Sequence, residues 1–292
     1  MDKYFGISES GSSVKTEIVA GITTFITMAY IIFVNPSILS DPLYILGVEG
    51  ADALKASIFV ATCISAAVGT LIMALYAKIP FAQAPGMGLN AFFAYTIMLG
   101  MGYTFFQGLA AVFISGIIFI ILTITGLREQ IVKALPANIK YAITGGIGLF
   151  IALIGLINSN IIVDNPSTLV QLIDFSKFGS TEMMNEATGL TYGMAVNNAL
   201  VAIIGLIIIG VLMMLKVKGA ILIGILAGTI IGIPFGVTSI PQNFAVFSMP
   251  PSIAPTFLKM DFAGLLGIGS QNVIGVIFTA ITVVIAFTLV DM

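Results

Sequence analysis

Between two strongly apolar stretches of this chain lies Lys78-Ile-Pro-Phe-Ala-Gln-Ala-Pro-Gly-Met-Gly-Leu-Asn90. Two prolines and two glycines fall there, where a membrane-spanning helix should run unbroken. Backbone amides and carbonyls cannot stay unpaired in hydrocarbon, so such a break survives only where protein or a polar cavity covers it. Solute carriers place their ligand sites at breaks of this kind, where a half-helix begins near the middle of the bilayer and its first amides face the ligand. The spacing predicts an extended piece over 79–85, a half-helix over 86–99 and a loop over 100–104.

The rest of the chain fits a membrane setting. Apolar residues make up 59% and charged residues 8%, against roughly 25% charged in a soluble domain. A span needs about 20 mainly apolar residues. Runs of that kind are expected at 18–39, 56–77, 106–125, 139–158, 193–215, 219–235 and 272–291. With the broken segment as a further crossing, they make eight.

Charge tests the count independently. With a cytoplasmic N-terminus, the inner segments hold Lys3, Lys15, Lys78, Arg128, Lys133, Lys140, Lys216 and Lys218, and the outer ones only Lys55, Lys177 and Lys259. Basic residues favour the cytoplasmic side, so this asymmetry supports the orientation and requires the broken segment to cross. The stretch 159–191 is expected outside as a solvated linker, with a functional lid as the sharper alternative. Segments 128–135 and 260–269 look amphipathic and suited to the interface.

Several classes of function are disfavoured. A net charge of −2 lacks the basic clusters that phosphate neutralisation by a nucleic-acid binder needs. There is no histidine, and Cys63 is the one cysteine, so a disulfide within the chain is impossible and a soft-metal site is not expected. No nucleophile–base pair suggests an enzyme.

Polar residues inside apolar runs are costly and are the candidates for function. On the first span, Thr23, Thr27 and Tyr30 recur at helical spacing beside Thr24, and Asn35 precedes Pro36. Threonines in membrane helices commonly bond back to their own helix, which competes with a role in a cavity wall. Gln83 can donate and accept, as a neutral heterocycle requires. Gly86 and Gly88 would allow close approach of a flat ligand or simply serve a kink or tight packing. Asp291 is a proton-carrier candidate or a charge near the chain end.

Two of these stretches carry a resemblance. Glu17-Ile-Val-Ala-Gly-Ile-Thr-Thr-Phe-Ile-Thr-Met-Ala-Tyr-Ile-Ile-Phe-Val-Asn-Pro36 and Pro80-Phe-Ala-Gln-Ala-Pro-Gly-Met-Gly-Leu-Asn-Ala91 resemble purine permeases of the nucleobase:cation symporter-2 (xanthine/uracil permease) family. The matching branch is the AzgA-like one, which takes hypoxanthine, guanine or adenine. Gly219-Ala-Ile-Leu-Ile-Gly224 and Phe287-Thr-Leu-Val-Asp291 extend the similarity.

The resemblance implies an all-α polytopic fold of fourteen spans in two inverted repeats of seven, with a discontinuous third span. Residues 1–127 would then belong to the transport core, 128–260 to the gate with its external loop at 159–192, and 261–292 to the start of the second repeat. Gln83, Ala84, Pro85, Gly86, Met87 and Gly88 match the substrate site, with Thr24 and Thr27 near it and Asp291 as the coupling candidate. The implied activity is uptake of a purine base across the cytoplasmic membrane with a co-transported proton, without another cofactor. The complete protein would be a homodimer in the lipid bilayer. Because the chain stops within the eighth span, it is expected to be a fragment of a longer permease. The alternatives are an anion carrier of sulfate-permease-like architecture and a non-transporting membrane fragment.

Overall fold

The structure is a computed structural model describing residues 5, 7, 11–78, 81–134, 136–185, 189–240, 249–267 and 281–282. It is mostly helical. Among the described residues, five stretches are long and apolar enough to cross a bilayer: Val14–Ile45, Ala51–Ala77, Phe105–Ile124, Ala137–Asn158 and Tyr192–Met214. Two shorter apolar helices, Met87–Gly100 and Ala220–Gly232, fall at the expected third and seventh spans. The expected eighth span lies outside the described residues apart from Ile281 and Thr282.

The chain divides into two compact units. The first comprises residues 1–31, 69–83 and 152–249. It begins with α1 (Val14–Met28), capped by Ser13, whose hydroxyl accepts from the Thr16 amide at 3.2 Å. Glu17 in the first turn suits the positive end of the helix dipole. Two later helices form a hairpin in the same unit. Gly224, in the helix Ala220–Gly232, leaves room for Ile209 in the helix Tyr192–Met214, and a Cβ there would collide with that side chain. Small residues permit this close approach of membrane helices.

The second unit comprises residues 32–68, 84–151 and 250–292. It holds α2 (Ile31–Ile45) from its second residue on, α3 (Ala51–Ile72) up to Val68, and α4 (Met87–Ala91), which continues as a π-helix over Phe92–Gly100. α5 (Phe105–Ile124), α6 (Leu127–Ala134) and most of α7 (Ala137–Asn158) follow. Its core gathers Leu43, Leu54, Ile58, Phe93, Ile97, Met98, Phe105 and Leu265. Phe93 meets Phe105 edge-on at 5.6 Å, and Gly108 makes space for the Phe93 ring. α6 is amphipathic as expected, with an exposed Lys133–Glu129 pair and Arg128 over the Phe119 ring at 4.6 Å. Among the described residues of the other expected interfacial segment, Phe262–Leu265 makes one helical turn, whose Gly264 amide is capped by Asp261.

Back in the first unit, α8 (Tyr192–Met214) and α9 (Ala220–Gly232) are the hairpin already described. α9 is shorter than the expected 219–235. Pro234 has no amide hydrogen and disfavours helix at Ile233, and the amides of Val237 and Thr238 turn back to the Gly232 carbonyl.

The region expected as a solvated linker, 159–191, carries two short strand pairs among its described residues. β1 (Ile162–Asn165) pairs antiparallel with β2 (Leu169–Leu172), and β3 (Met183–Asn185) pairs with β4 (Leu190–Thr191). Asn165 closes the first turn by accepting from the amides of Ser167 and Thr168, the local bonding that suits asparagine to turns. Val163 and Ile173 bury with Ala195, Val196 and Ala199 at the start of α8. The strands are too short, and too polar on one side, for their alternation to stand out from a linker in the sequence.

Candidate functional site

The expected third span is broken where the sequence places the break. α3 runs into a π-helical turn, Met73–Ala77, and ends at Lys78 with a left-handed φ of 55°. Residues 81–86 have no regular structure, and α4 starts at Met87 after an extended Gly86 (φ −76°, ψ 120°). No side chain caps α4, so its first amides lack partners within the helix.

The break's polar backbone is covered on the side of the first unit by one hydroxyl. The Gln83 amide donates to Thr70 Oγ1 at 2.9 Å, and that hydroxyl reaches the Gln83 carbonyl at 3.5 Å. Gly69 clears room for this contact: a Cβ there would sit 3.1 Å from Gln83 Cβ. With its backbone held in this way, the Gln83 amide side chain has no hydrogen-bond partner among the described residues.

The two glycines differ. Gly86 has open space where a side chain would project, whereas a Cβ on Gly88 would lie 2.9 Å from Ile147 of α7. Gly86 therefore has space beside it among the described residues, and Gly88 lets two helices pack. Ala84, Pro85 and Met87 are half-buried. Phe93 is committed to the core, and the Tyr95 hydroxyl donates to Asp41 at 2.7 Å.

Thr24 and Thr27 bond to their own helix, α1. Thr24 Oγ1 donates to the Ala20 carbonyl at 2.9 Å and Thr27 Oγ1 to the Thr24 carbonyl at 2.7 Å. Thr24 lines a groove of about 500 Å³ with Lys15, Thr16, Thr23 and Lys218, which neither Thr27 nor Gln83 reaches. Asp291, with Gln271 and Asn272, lies outside the described residues.

The second unit contributes a polar row that individual weighing of polar residues did not assemble. Thr62 Oγ1 donates to the Ile58 carbonyl at 2.7 Å and accepts from Asn35 Nδ2 at 2.7 Å. Asn35 Oδ1 in turn accepts from Asn90 Nδ2. Asn35 and Thr62 are each 3% exposed. Three helices, α2, α3 and α4, are thus tied together directly after the break. The sequence signal was available in Asn35 before Pro36 and Asn90 beside the glycines; their pairing across 55 residues was not. By contrast, Asn197 and Asn198 act within the first unit, bonding to the Phe235 carbonyl and to Asn160, each at 2.9 Å.

Several membrane-length helices and an interrupted one with polar groups at the interruption define a multi-pass membrane protein of the solute-carrier kind. Residues 15–290 match the model of the Permease family, and the chain belongs to that family. It is 46% identical over its whole length to the permease candidate MJ0326 of Methanocaldococcus jannaschii, covering 58% of that protein. It is 36% identical over 274 residues to the adenine permease AdeP of Escherichia coli, matching 94% of this chain and 55% of the relative. With the guanine/hypoxanthine permease PbuG of Bacillus subtilis it shares 40% over 257 residues, 88% of this chain and 54% of the relative. The chain spans about half the length of the curated relatives it matches.

Proposed function

We propose that this chain carries the first repeat of a secondary active transporter that imports a purine nucleobase, hypoxanthine, guanine or adenine, by proton symport. The observation that carries this reading is the break at 81–86, with open space at Gly86 and a Gln83 side-chain amide that has no hydrogen-bond partner among the described residues, in a family whose relatives bear purine permease names. The base edge is held by Gln83 and by the stretch Ala84, Pro85, Gly86 and Met87, while Gly88 serves the packing against Ile147. Thr24 and Thr27 belong to this reading through the family resemblance, and they would offer oxygen lone pairs, since their protons are committed to α1. Asn90 joins this set through the part of its amide that Asn35 leaves unused.

In this reading the complete protein has two inverted repeats of seven spans, works as a homodimer in the cell membrane and keeps its N-terminus in the cytoplasm. Residues 1–127 belong to its transport core, 128–260 to its gate and 261–292 to the start of the second repeat. Asp291 is the proton-coupling carboxylate. A protonated acid offers a donor that its anion lacks, so proton and base binding are linked.

The test is uptake of radiolabelled hypoxanthine, guanine and adenine by transport-deficient cells. The 292-residue chain and the full product of its gene are compared, with and without a protonophore and at matched membrane amounts. Uptake that collapses with the protonophore is expected from the full product. A well-expressed full product that moves none of the three bases refutes the purine reading, and protonophore-insensitive uptake refutes proton coupling.

A further inference from the structure

The row from Thr62 to Asn90 has a direction. The single hydroxyl hydrogen of Thr62 is committed to the Ile58 carbonyl at 2.7 Å, so its oxygen faces Asn35 as an acceptor. Asn35 must therefore turn Nδ2 toward Thr62 and Oδ1 toward Asn90, and Asn90 must present Nδ2 to Asn35. Reversing Asn35 alone would set two acceptors together at one end and two donors at the other. Both Asn35 and Thr62 are 3% exposed, so water is not at hand to relieve that mismatch, and a mispaired buried polar group is costly.

What the row fixes is the unused edge of Asn90. That residue is half-buried, and no described residue donates to its Oδ1, which is not among the atoms sealed without a partner. The edge offers an acceptor, Oδ1, and a donor, the second Nδ2 hydrogen, in an order the row does not let it exchange. Six-oxo and six-amino purines carry these groups in opposite order: O6 accepts beside the N1–H donor, whereas N6–H donates beside the N1 acceptor.

We propose that Thr62 and Asn35 are positioning residues that hold the Asn90 amide in one orientation and so set the preference between six-oxo and six-amino purines. This rests on the purine reading above. Neither residue has to touch the base.

The experiment uses the full product of the gene in purine-transport-deficient cells. Hypoxanthine and adenine compete for labelled uptake, and the ratio of their apparent inhibition constants is the readout. The wild type is expected to favour one base by about tenfold or more, as a site built to hydrogen-bond its ligand does. Thr62→Val, which removes the acceptor for Asn35, is expected to bring the ratio to within about threefold of unity. Thr62→Ser restores the wild-type ratio, and Asn35→Ala is a second variant with the same expectation as Thr62→Val. A merely structural row would lower membrane amount and maximal rate while leaving the ratio unchanged, and that result overturns the inference. So does a wild type that takes both bases equally, or failure of both disrupting variants to reach the membrane, which would make the row a folding requirement. A wild type that takes up no purine removes the purine reading itself, and this inference with it.

Discussion

The threonines of α1 and the asparagine of α2 meet the same difficulty in opposite ways. Thr23, Thr24 and Thr27 each spend their hydroxyl hydrogen on a carbonyl of α1 itself. Asn35 has two amide hydrogens and an oxygen, more than a neighbouring turn of helix satisfies, and bonds instead to α3 and to the residue row of α4. A hydroxyl in an apolar helix is satisfied locally and says little about its neighbours. A buried amide has to recruit other helices, and here it recruits the one that begins at the break.

The strongest way to break this comparison is Asn35→Ala. It leaves the Asn90 amide and the Thr62 oxygen without their buried partner, and a loss of about 2–4 kcal/mol is expected, read as a lower midpoint of heat unfolding in detergent. No change would mean that the row contributes nothing. A contrast from the other unit is Gly224→Ala, where the new Cβ meets Ile209. Overpacking there is expected to cost about 1–3 kcal/mol by the same measurement, without altering the preference among purines. Thr24→Val and Thr27→Val should each change stability by less than about 0.5 kcal/mol. Lower purine affinity at unchanged stability would mark them as ligand contacts, while equal affinity would leave them as self-satisfied helix residues.

The smallest effect lies in the hairpin region. Hydrogen bonds from the Ser176 hydroxyl and amide hold the Asp174 carboxyl below its ordinary range, and the bond to Glu182 holds Lys177 above its own. The Asp174 contribution is present above its unfolded pKa and fades as pH falls through the lowered folded value. The Lys177 contribution is present below its unfolded pKa and fades as pH rises through the raised one. Amide exchange over 174–182 should therefore quicken at both extremes, and Asp174→Asn should remove only the acid limb. A flat profile would show that these bonds do not order the segment.

Much of the fold was legible because hydropathy sets span length directly. Five long helices stand within a few residues of their expected positions, with α1 and α2 together extending past the expected first span. The break was legible too, since Pro85 and Gly86 cannot be hidden inside an apolar run. The hairpins at 162–191 were not, because strands of two to four residues carry too little alternation. Nor was the row through Asn35, whose partners lie 27 and 55 residues away in sequence. Type and position of a polar residue mark it as costly, but only packing shows what it is bonded to. The same holds for the two glycines, alike in sequence yet one open and one filled by Ile147.

The central claim is that the break holds a purine, and accessibility at Ala84 tests it most directly. In the full product of the gene, Cys63 and any cysteine beyond residue 292 are replaced by serine, and Ala84→Cys then places a single thiol at the break. The rate of maleimide labelling is then followed with and without ligand. The expected result is labelling from water that slows when the transported purine is present and is indifferent to sulfate. Labelling that no purine slows, in a protein shown to take purines up, would contradict the assignment, and protection by sulfate alone would point to an anion site instead.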